Sequence, residues 1–180
     1  MHIRIMPAEI PILETERLRL RGFTADDLDL LDSLYSDPDV VSFISIDGQP
    51  LSREKSQERL TAALFRWTQH GIPMWAVFRK ADDVFLGRCG FQIYQVTNEI
   101  EIAYTLLPQA WGNGYATEAG RACLEYAFNV LKWERIVSRT RTTNARSLRV
   151  MEKLGFQIEK VGEDIAGPAV FEFLTKSMWK

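Results

Sequence analysis

The chain is poor in cysteine and has no long hydrophobic run. It contains two cysteines among 180 residues and no CxxC pair, which excludes a disulfide framework and a CxxC zinc site. No apolar run approaches the length of a membrane span, and prolines interrupt the first residues where a signal peptide would be apolar. We therefore expect a cytoplasmic protein without a membrane partner and without a metal site.

A large charge of one sign is also missing. The chain has 22 lysines and arginines against 24 aspartates and glutamates, which gives a formal net charge of −2. Bulk charge would therefore not hold a nucleic acid, although a local basic pocket is allowed. Hydrophobic residues at 46% and charged residues at 26% lie in the globular range, which excludes a disordered chain.

The hydrophobic patterns predict a single domain of mixed α/β class over residues 1–180, with residues 1–12 as a loosely ordered extension. Strict alternation, or a run rich in β-branched and aromatic residues, predicts strands. Apolar stripes of helical period predict helices. The predicted strands are 17–21, 74–79, 84–94, 99–107, 136–142, 156–161 and 169–175, and the predicted helices are 24–35, 52–70, 116–132 and 144–154.

The segment 109–118, QAWGNGYATE, joins a predicted strand to a predicted helix. Gly112 and Gly114 permit positive φ and a close approach of the backbone to a ligand. The first turn of the helix presents unpaired N–H groups and the positive end of its dipole, which together suit a pyrophosphate. The pattern is neither a Walker loop nor a GxGxxG fingerprint. A tight turn without a ligand explains the spacing equally well.

Two further segments carry polar residues next to this loop. Asn144 begins a predicted helix, where it suits an N-cap, and Ser147 follows one turn later. Arg146 and Lys153 of the same helix could meet phosphates, or could simply form a solvated face. In the strand 99–107, Glu99 and Glu101 share a face. These carboxylates suit general-base chemistry or a charged, solvent-facing edge.

Taken in order, these segments resemble the GNAT superfamily of N-acetyltransferases, and more closely its RimJ/RimL-type branch, which includes ribosomal-protein N-terminal acetyltransferases. The resemblance runs from about residue 13 to the C-terminus and rests on residues 15–21, 36–40, 75–77, 86–87, 101–104, 111–119, 144–147 and 152–156. In it, residues 36–40 match the exit of the first helix. It implies a splayed, mixed sheet of about seven strands flanked by about four helices, and acetyl-CoA as the donor substrate.

The resemblance also implies which residues bind acetyl-CoA. The glycine segment would hold the pyrophosphate, the end of the preceding strand would pair with the pantetheine and supply an oxyanion-hole N–H, and Asn144 would touch the pantetheine region. The residues so assigned are Leu106, Leu107, Gln109, Gly112, Asn113, Gly114, Tyr115, Ala116, Thr117 and Asn144.

For the chemistry, the resemblance implies direct attack of a primary amine on the thioester. Glu101 matches the strand carboxylate of the family and is our first candidate for the base, with Glu99 second. Many family members place an acidic tyrosine in the helix after the Asn, where this chain has Met151. We therefore predict Ser147 as the substitute proton donor. Neither cysteine is expected to carry an acetyl group.

The acceptor stays open among three hypotheses. The first is an enzyme that acetylates a protein N-terminal α-amine. The second is an enzyme for a small amine such as a polyamine, an antibiotic or an amino-acid derivative. The third is a non-catalytic acetyl-CoA-binding module. Either a monomer or a homodimer fits the sequence.

Overall fold

A computed structural model of the chain describes residues 9–45 and 47–180. Its centre is one sheet of eight strands. They are β1 (Leu13–Glu14), β2 (Leu18–Gly22), β3 (Met74–Arg79), β4 (Val84–Tyr94), β5 (Glu99–Leu106), β6 (Arg135–Arg141), β7 (Gln157–Asp164) and β8 (Gly167–Thr175). Their order across the sheet is β1-β2-β3-β4-β5-β6-β8-β7.

Five α-helices flank the sheet. They are α1 (Leu28–Tyr35), α2 (Pro38–Ile44), α3 (Arg53–His70), α4 (Tyr115–Tyr126) and α5 (Ala145–Lys153). A 3-10 turn, Pro108–Ala110, precedes α4, and a π-helical segment, Ala127–Leu131, continues it. No helix in the described ranges combines the length and the apolar character that a membrane crossing needs.

The sheet splays open between β5 and β6. Every other neighbouring pair of strands is antiparallel, and these two are parallel. Their register pairs Glu101 with Val137 alone, and beyond that position the strands separate. The separated ends leave backbone groups of β5 without a strand partner, which creates room for a ligand in the middle of the sheet. The predicted splayed GNAT-type sheet is therefore confirmed.

The two faces of the sheet carry different helices. Ile102 and Leu106 of β5 belong to the core beneath α4 and α5, together with Ala119 and Met151. Met74 and Ala103 face the opposite way, into a second core beneath α1 and α3. Alternation along the strands thus separates the molecule into an α4/α5 face and an α1/α3 face.

Two elements of the structure were not among the sequence predictions. Residues 36–40 follow the end of α1, whose C-cap is Ser36, and they also begin a further helix: the Asp37 side chain accepts hydrogen bonds from the N–H groups of Asp39 and Val40, and Pro38 stands at the first position of α2. This Asp-Pro pair is a helix start, a pattern that the resemblance obscured. The two-residue β1 adds an eighth strand, too short for any periodicity to indicate.

The predicted loosely ordered extension, residues 1–12, falls partly outside the described residues, which begin at residue 9. Within the described part, Ile10 is buried, and a β-carbon added at Gly22 would lie 2.8 Å from its Cβ. The Pro11 carbonyl accepts a hydrogen bond from Trp75 Nε1 at 2.8 Å. Residues 10–11 are therefore fixed against the sheet.

Candidate active site

A groove of about 580 Å³ opens where β5 and β6 separate. Its wall is built from α2, the end of β5, the glycine segment, the first turn of α4 and one side of α5. Of the residues predicted from the sequence, it is lined by Leu106, Gly112, Gly114, Tyr115, Ala116, Thr117, Asn144 and Ser147. The groove thus collects residues from three separate sequence segments.

The glycine segment has the backbone geometry that its sequence predicted. Gly112 has φ 76° and Gly114 has φ 79°, a left-handed conformation that L side chains adopt only with strain. Gly114 directly precedes α4, and no side chain caps the helix N-terminus. The free N–H groups of Tyr115, Ala116 and Thr117 therefore remain available for an anion in the groove.

Arg17 of the β2 region holds this loop in place. Its guanidinium donates to Glu118 Oε2 at 2.7 Å through Nε and to the Asn113 carbonyl at 3.1 Å through Nη1, and it stacks over the Tyr115 ring. Burial raises the pKa of Glu118, but hydrogen bonds from Thr15 and Arg17 outweigh that effect and lower it. The carboxylate in the first turn is thus neutralised on the side away from the groove.

Helix α5 lines the other side of the groove with polar groups. Asn144 Oδ1 accepts a hydrogen bond from the Ser147 N–H at 3.1 Å, which confirms its N-cap role. Arg146, Arg149 and Lys153 all line the groove, and Arg146 stacks on Trp111 at 4.7 Å. Their spacing of three and four places them on one helix face, where they add positive charge along the groove.

Ser147 has a second hydroxyl beside it. Tyr104 of β5 brings its hydroxyl oxygen to 2.7 Å from Ser147 Oγ. Burial raises the pKa of Tyr104 above its ordinary value, so the phenol is protonated at neutral pH. Met151, which stands near the family's tyrosine position, is buried in the core. The pair Tyr104–Ser147 therefore gives the groove a candidate proton donor. Its tyrosine comes from β5 and not from α5, the helix that contains Met151.

A buried carboxyl lies behind this pair. Thr140 Oγ1 is 3.4 Å from Ser147 Oγ and 3.4 Å from Glu172 Oε2. Glu172 is 4% exposed, and burial raises its pKa to about 7, against opposing hydrogen bonds from Thr140 and Ser138. A chain of hydroxyls thus leads from the groove to a carboxyl that titrates near neutrality.

Leu106, the last residue of β5, and Leu107, which follows it, point their backbone N–H groups to opposite sides of the strand. Leu107 donates its N–H to the Leu86 carbonyl at 2.8 Å and does not line the groove. Since successive residues of an antiparallel strand point their N–H groups to opposite edges, the Leu106 N–H points toward β6 and the splay. The Leu106 carbonyl accepts from Trp111 Nε1 at 2.7 Å, which orients this peptide. Leu106 is therefore the better candidate for the oxyanion-hole N–H.

Glu101 lies at the point where the splay begins, on the α1/α3 face. It is 3% exposed, accepts from Gln92 Nε2 at 2.7 Å, and pairs with Arg139 Nε at 3.3 Å. Burial raises the pKa of Glu101, opposed by Gln92 and Arg139. Arg139 is shared with Asp164. The position and the raised pKa both suit a proton acceptor.

Glu99 lies one step farther from the splay. Its carboxylate pairs with Arg135 at 2.9 Å, and this hydrogen bond lowers the pKa of Glu99 despite partial burial. A carboxylate with a lowered pKa is a poorer base. Glu101 therefore remains the first candidate.

Two predicted binding residues, Gln109 and Asn113, border the groove without lining it. Asn113 donates from Nδ2 to the Trp111 carbonyl at 2.9 Å, which stabilises the loop. Cys89 and Cys123 are both fully buried with their Sγ atoms 3.6 Å apart, as predicted for core thiols.

The comparisons with known proteins agree with this geometry. Residues 17–157 match a family model described as an acetyltransferase (GNAT) domain. The chain belongs to the GNAT acetyltransferase family. It is 35% identical over 156 residues to the uncharacterized protein YkkB of Bacillus subtilis, covering 82% of this chain and 86% of that protein. It is 32% identical to the uncharacterized N-acetyltransferase YoaA of the same organism, covering 84% and 85%.

Among solved structures, the fold resembles RimL, a ribosomal L7/L12 alpha-N-protein acetyltransferase determined in complex with coenzyme A. The TM-score is 0.79 at 15% identity, and the alignment covers 92% of this chain and 98% of that one. At this identity the likeness concerns the fold. The chain is thus an acetyltransferase whose acceptor the comparisons leave open.

Several residues in or behind the groove were missed or undervalued by the sequence analysis. Arg149 continues the spacing of Arg146 and Lys153, so a helical projection could have found it. Tyr104 and Glu172 lie on strands far apart in sequence, and no local pattern connects them to Ser147. Phe43 of α2, which the sequence suggested for an acceptor cleft, lines the groove and packs edge-on against Trp111.

Proposed function

We propose that this acetyltransferase transfers an acetyl group from acetyl-CoA to a primary amine by direct attack in the splay between β5 and β6. The observation that carries the proposal is the juxtaposition there of free helix N–H groups, a buried carboxylate and a paired hydroxyl donor. As acceptor we propose first the α-amine of a protein N-terminus, which the RimJ/RimL-type resemblance implies.

The residues of the groove fit acetyl-CoA. The first-turn N–H groups of α4, reached over Gly112 and Gly114, would hold the pyrophosphate, and the basic face of α5 would meet further phosphate charge. Leu106 would pair with the pantetheine along the open edge of β5. Acetyl-CoA supplies the thioester that the amine attacks.

The proposed proton acceptor and proton donor lie on opposite faces of the sheet. Glu101, directly or through water, would take a proton from the ammonium form of the acceptor, because only the neutral amine has a lone pair. The Leu106 N–H would stabilise negative charge on the carbonyl oxygen. Ser147, hydrogen-bonded to Tyr104, would deliver a proton to the departing sulfur. Both cysteines are buried away from the groove, which supports transfer without an acetyl-enzyme.

The test measures release of the CoA thiol from acetyl-CoA in the presence of an amine panel, with acetyl-CoA binding followed on the same preparation. The panel contains peptides with Ser, Ala and Met N-termini, polyamines, aminoglycosides and free amino acids. We expect turnover with the peptides. Turnover with small amines alone would replace the proposed acceptor by a small-amine one. Tight acetyl-CoA binding without turnover of any amine would favour a non-catalytic module.

A further inference from the structure

A second, smaller cavity lies on the α1/α3 face between β4 and helices α1 and α3. Its volume is about 80 Å³, room for about two or three waters and hence for a carboxylate or a phosphate group. Three arginines line it: Arg59 and Arg66 from α3, and Arg88 from β4. No acidic side chain is among the residues that line it.

These arginines have no carboxylate partner. Within residues 9–45 and 47–180, none of the ion pairs shorter than 4.0 Å involves Arg59, Arg66 or Arg88. The remaining residues, 1–8 and 46, contain no Asp or Glu that could supply one. Most other arginines on this face, such as Arg21 and Arg139, pair with carboxylates. Three neighbouring guanidinium groups without a counter-charge therefore repel one another.

Of the three buried side-chain atoms that lack a hydrogen-bond partner in the described residues, two belong to arginines that line this cavity, and the third belongs to Thr105, which lines the groove. Across the described part of the chain, such side-chain atoms are Arg66 Nε, Arg88 Nε and Thr105 Oγ1. Arg88 is 8% exposed, its Nη1 reaches only the Met74 sulfur, and Thr105 is its cross-strand neighbour. Because buried donors normally find acceptors, this cluster indicates a site for an acceptor-rich ligand.

The aromatic ring of Tyr35 contacts two of the three arginines. Arg59 and Arg88 lie over its ring at 5.0 and 5.7 Å, and Tyr35 is 1% exposed. Burial, followed by repulsion from Arg88, lowers the pKa of Arg66. Arg59 and Arg88 are thus held in place by Tyr35 before any anion arrives, which reduces the entropy lost on binding.

The cavity adjoins the candidate base. Gln92 lines the cavity and donates its Nε2 hydrogen to Glu101 at 2.7 Å. One side chain therefore separates the arginines from the carboxylate that we assign to the acceptor amine. A ligand whose oxyanion sits among the arginines could place an amine, a few bonds away, near Glu101.

Resting on the proposed function, we infer that Arg59, Arg66 and Arg88 bind an oxyanion, a carboxylate or a phosphate, that the amine acceptor itself carries. Guanidinium groups match such oxyanions with paired N–H donors. The acceptors that fit are a peptide N-terminus followed by an acidic residue, or a small amine with its own carboxylate. Polyamines and aminoglycosides, which are cationic throughout, do not fit this cavity.

The test uses matched acceptors that differ only in the oxyanion: peptides beginning Ala-Asp against Ala-Asn, and free alanine against alaninamide. We expect the KM of the anionic member to be at least about tenfold lower, and Arg88→Met to remove this difference while leaving acetyl-CoA affinity unchanged. Arg66→Met, at a less buried position, is the second variant should Arg88→Met fold poorly. Arg53→Met, on the exposed start of the same helix, is the matched control and should preserve the difference.

A second test measures the binding of inorganic phosphate through the thermal stability of the wild type and the same variants. It distinguishes an oxyanion carried by the acceptor from a free anion. Phosphate should stabilise the wild type and compete with the anionic acceptor. Equal KM values within each matched pair would overturn the inference while leaving the proposed function intact. Phosphate binding without competition would assign the site to a free anion and also overturn it. No turnover with any amine would instead contradict the proposed function, and the loss of phosphate binding in Arg88→Met would still identify the site.

Discussion

The candidate sites on the two faces of the splayed sheet are built in different ways. On the α4/α5 face, the candidate phosphate site is mostly backbone: two left-handed glycines and the free N–H groups of one helix turn. On the α1/α3 face, the candidate acceptor site is made of side chains, with Glu101 paired to Arg139 and three arginines around a small cavity.

The difference follows from what each ligand demands. A backbone site needs a fixed chain path, which a short run of residues specifies locally. A side-chain site needs burial and partners from several elements, so its residues lie far apart along the chain. We expect the first kind to serve a common donor and the second to set the identity of the acceptor.

The largest expected effect is a loss of turnover on substitution of Glu101, the carboxylate on the α1/α3 face. Glu101→Gln keeps the shape and the Gln92 contact but removes the base, so turnover should fall about a hundred- to ten-thousandfold. Acetyl-CoA affinity should stay near wild type because Glu101 does not line the groove. Steady-state kinetics and binding titration measure the two quantities. Glu99→Gln is the control and should retain most activity; wild-type turnover in Glu101→Gln would remove Glu101 from the mechanism.

The second prediction concerns binding on the α4/α5 face. Gly114→Val imposes a β-branched side chain at φ 79° beside the N–H groups of α4. Acetyl-CoA affinity should fall about a hundredfold, since the loop must shift to relieve the strain. Titration calorimetry with CoA measures the change.

The matched control is Gly167→Val, at the first residue of β8. Gly167 has φ 102°, and a β-carbon there would meet nothing within 4 Å. It shares the backbone strain without touching the groove, so stability should fall and CoA affinity should not. Equal CoA binding by both variants would refute the assignment of the glycine loop.

The third prediction uses Glu172, a buried carboxyl on the α4/α5 face. Its pKa is raised from 4.5 to about 7, so the folded state holds its proton longer than the unfolded state does. The contribution of Glu172 to the free energy of unfolding should therefore be fully present below pH 4.5 and be lost as the pH rises through about 7. In Glu172→Gln this decline should shrink, leaving the variant about 2 kcal/mol more stable than wild type at pH 8.

Urea unfolding at a series of pH values measures this difference. Glu163, exposed on the adjacent strand β7, gives the control Glu163→Gln, for which the wild-type decline should persist. An unchanged decline in Glu172→Gln would show that Glu172 does not titrate in this range.

The smallest expected effect concerns the support of the loop. Arg17→Met leaves the charge of Glu118 uncompensated near the pyrophosphate site, so CoA affinity should drop about five- to tenfold. Adding Glu118→Gln should recover part of the loss, because the repulsion is then removed. Arg19→Met, which breaks an exposed pair with Asp83, should change CoA affinity little. An undiminished CoA affinity in Arg17→Met would mean that the glycine segment keeps its conformation without Arg17.

Sequence reasoning predicted the backbone site better than the side-chain site. Gly112, Gly114 and the cap Asn144 were found because glycine conformation and helix capping are local properties. The pairing of Tyr104 with Ser147, the burial of Glu172 and the unpartnered Arg88 were not found. Each depends on which strands neighbour one another. The end of α1 before Asp37 was recognised, but the start of α2 at Asp37 was not.

By itself the sequence determined the order of the longer strands and helices, the glycine turn before α4 and the family to which the chain belongs, since each is encoded in short runs of residues. Only the tertiary structure decided that Glu101 rather than Glu99 is buried at the start of the splay, and that three arginines meet without a carboxylate. The physical reason is that burial and charge pairing are set by residues distant along the chain, and these raise or lower a pKa far more than immediate neighbours do.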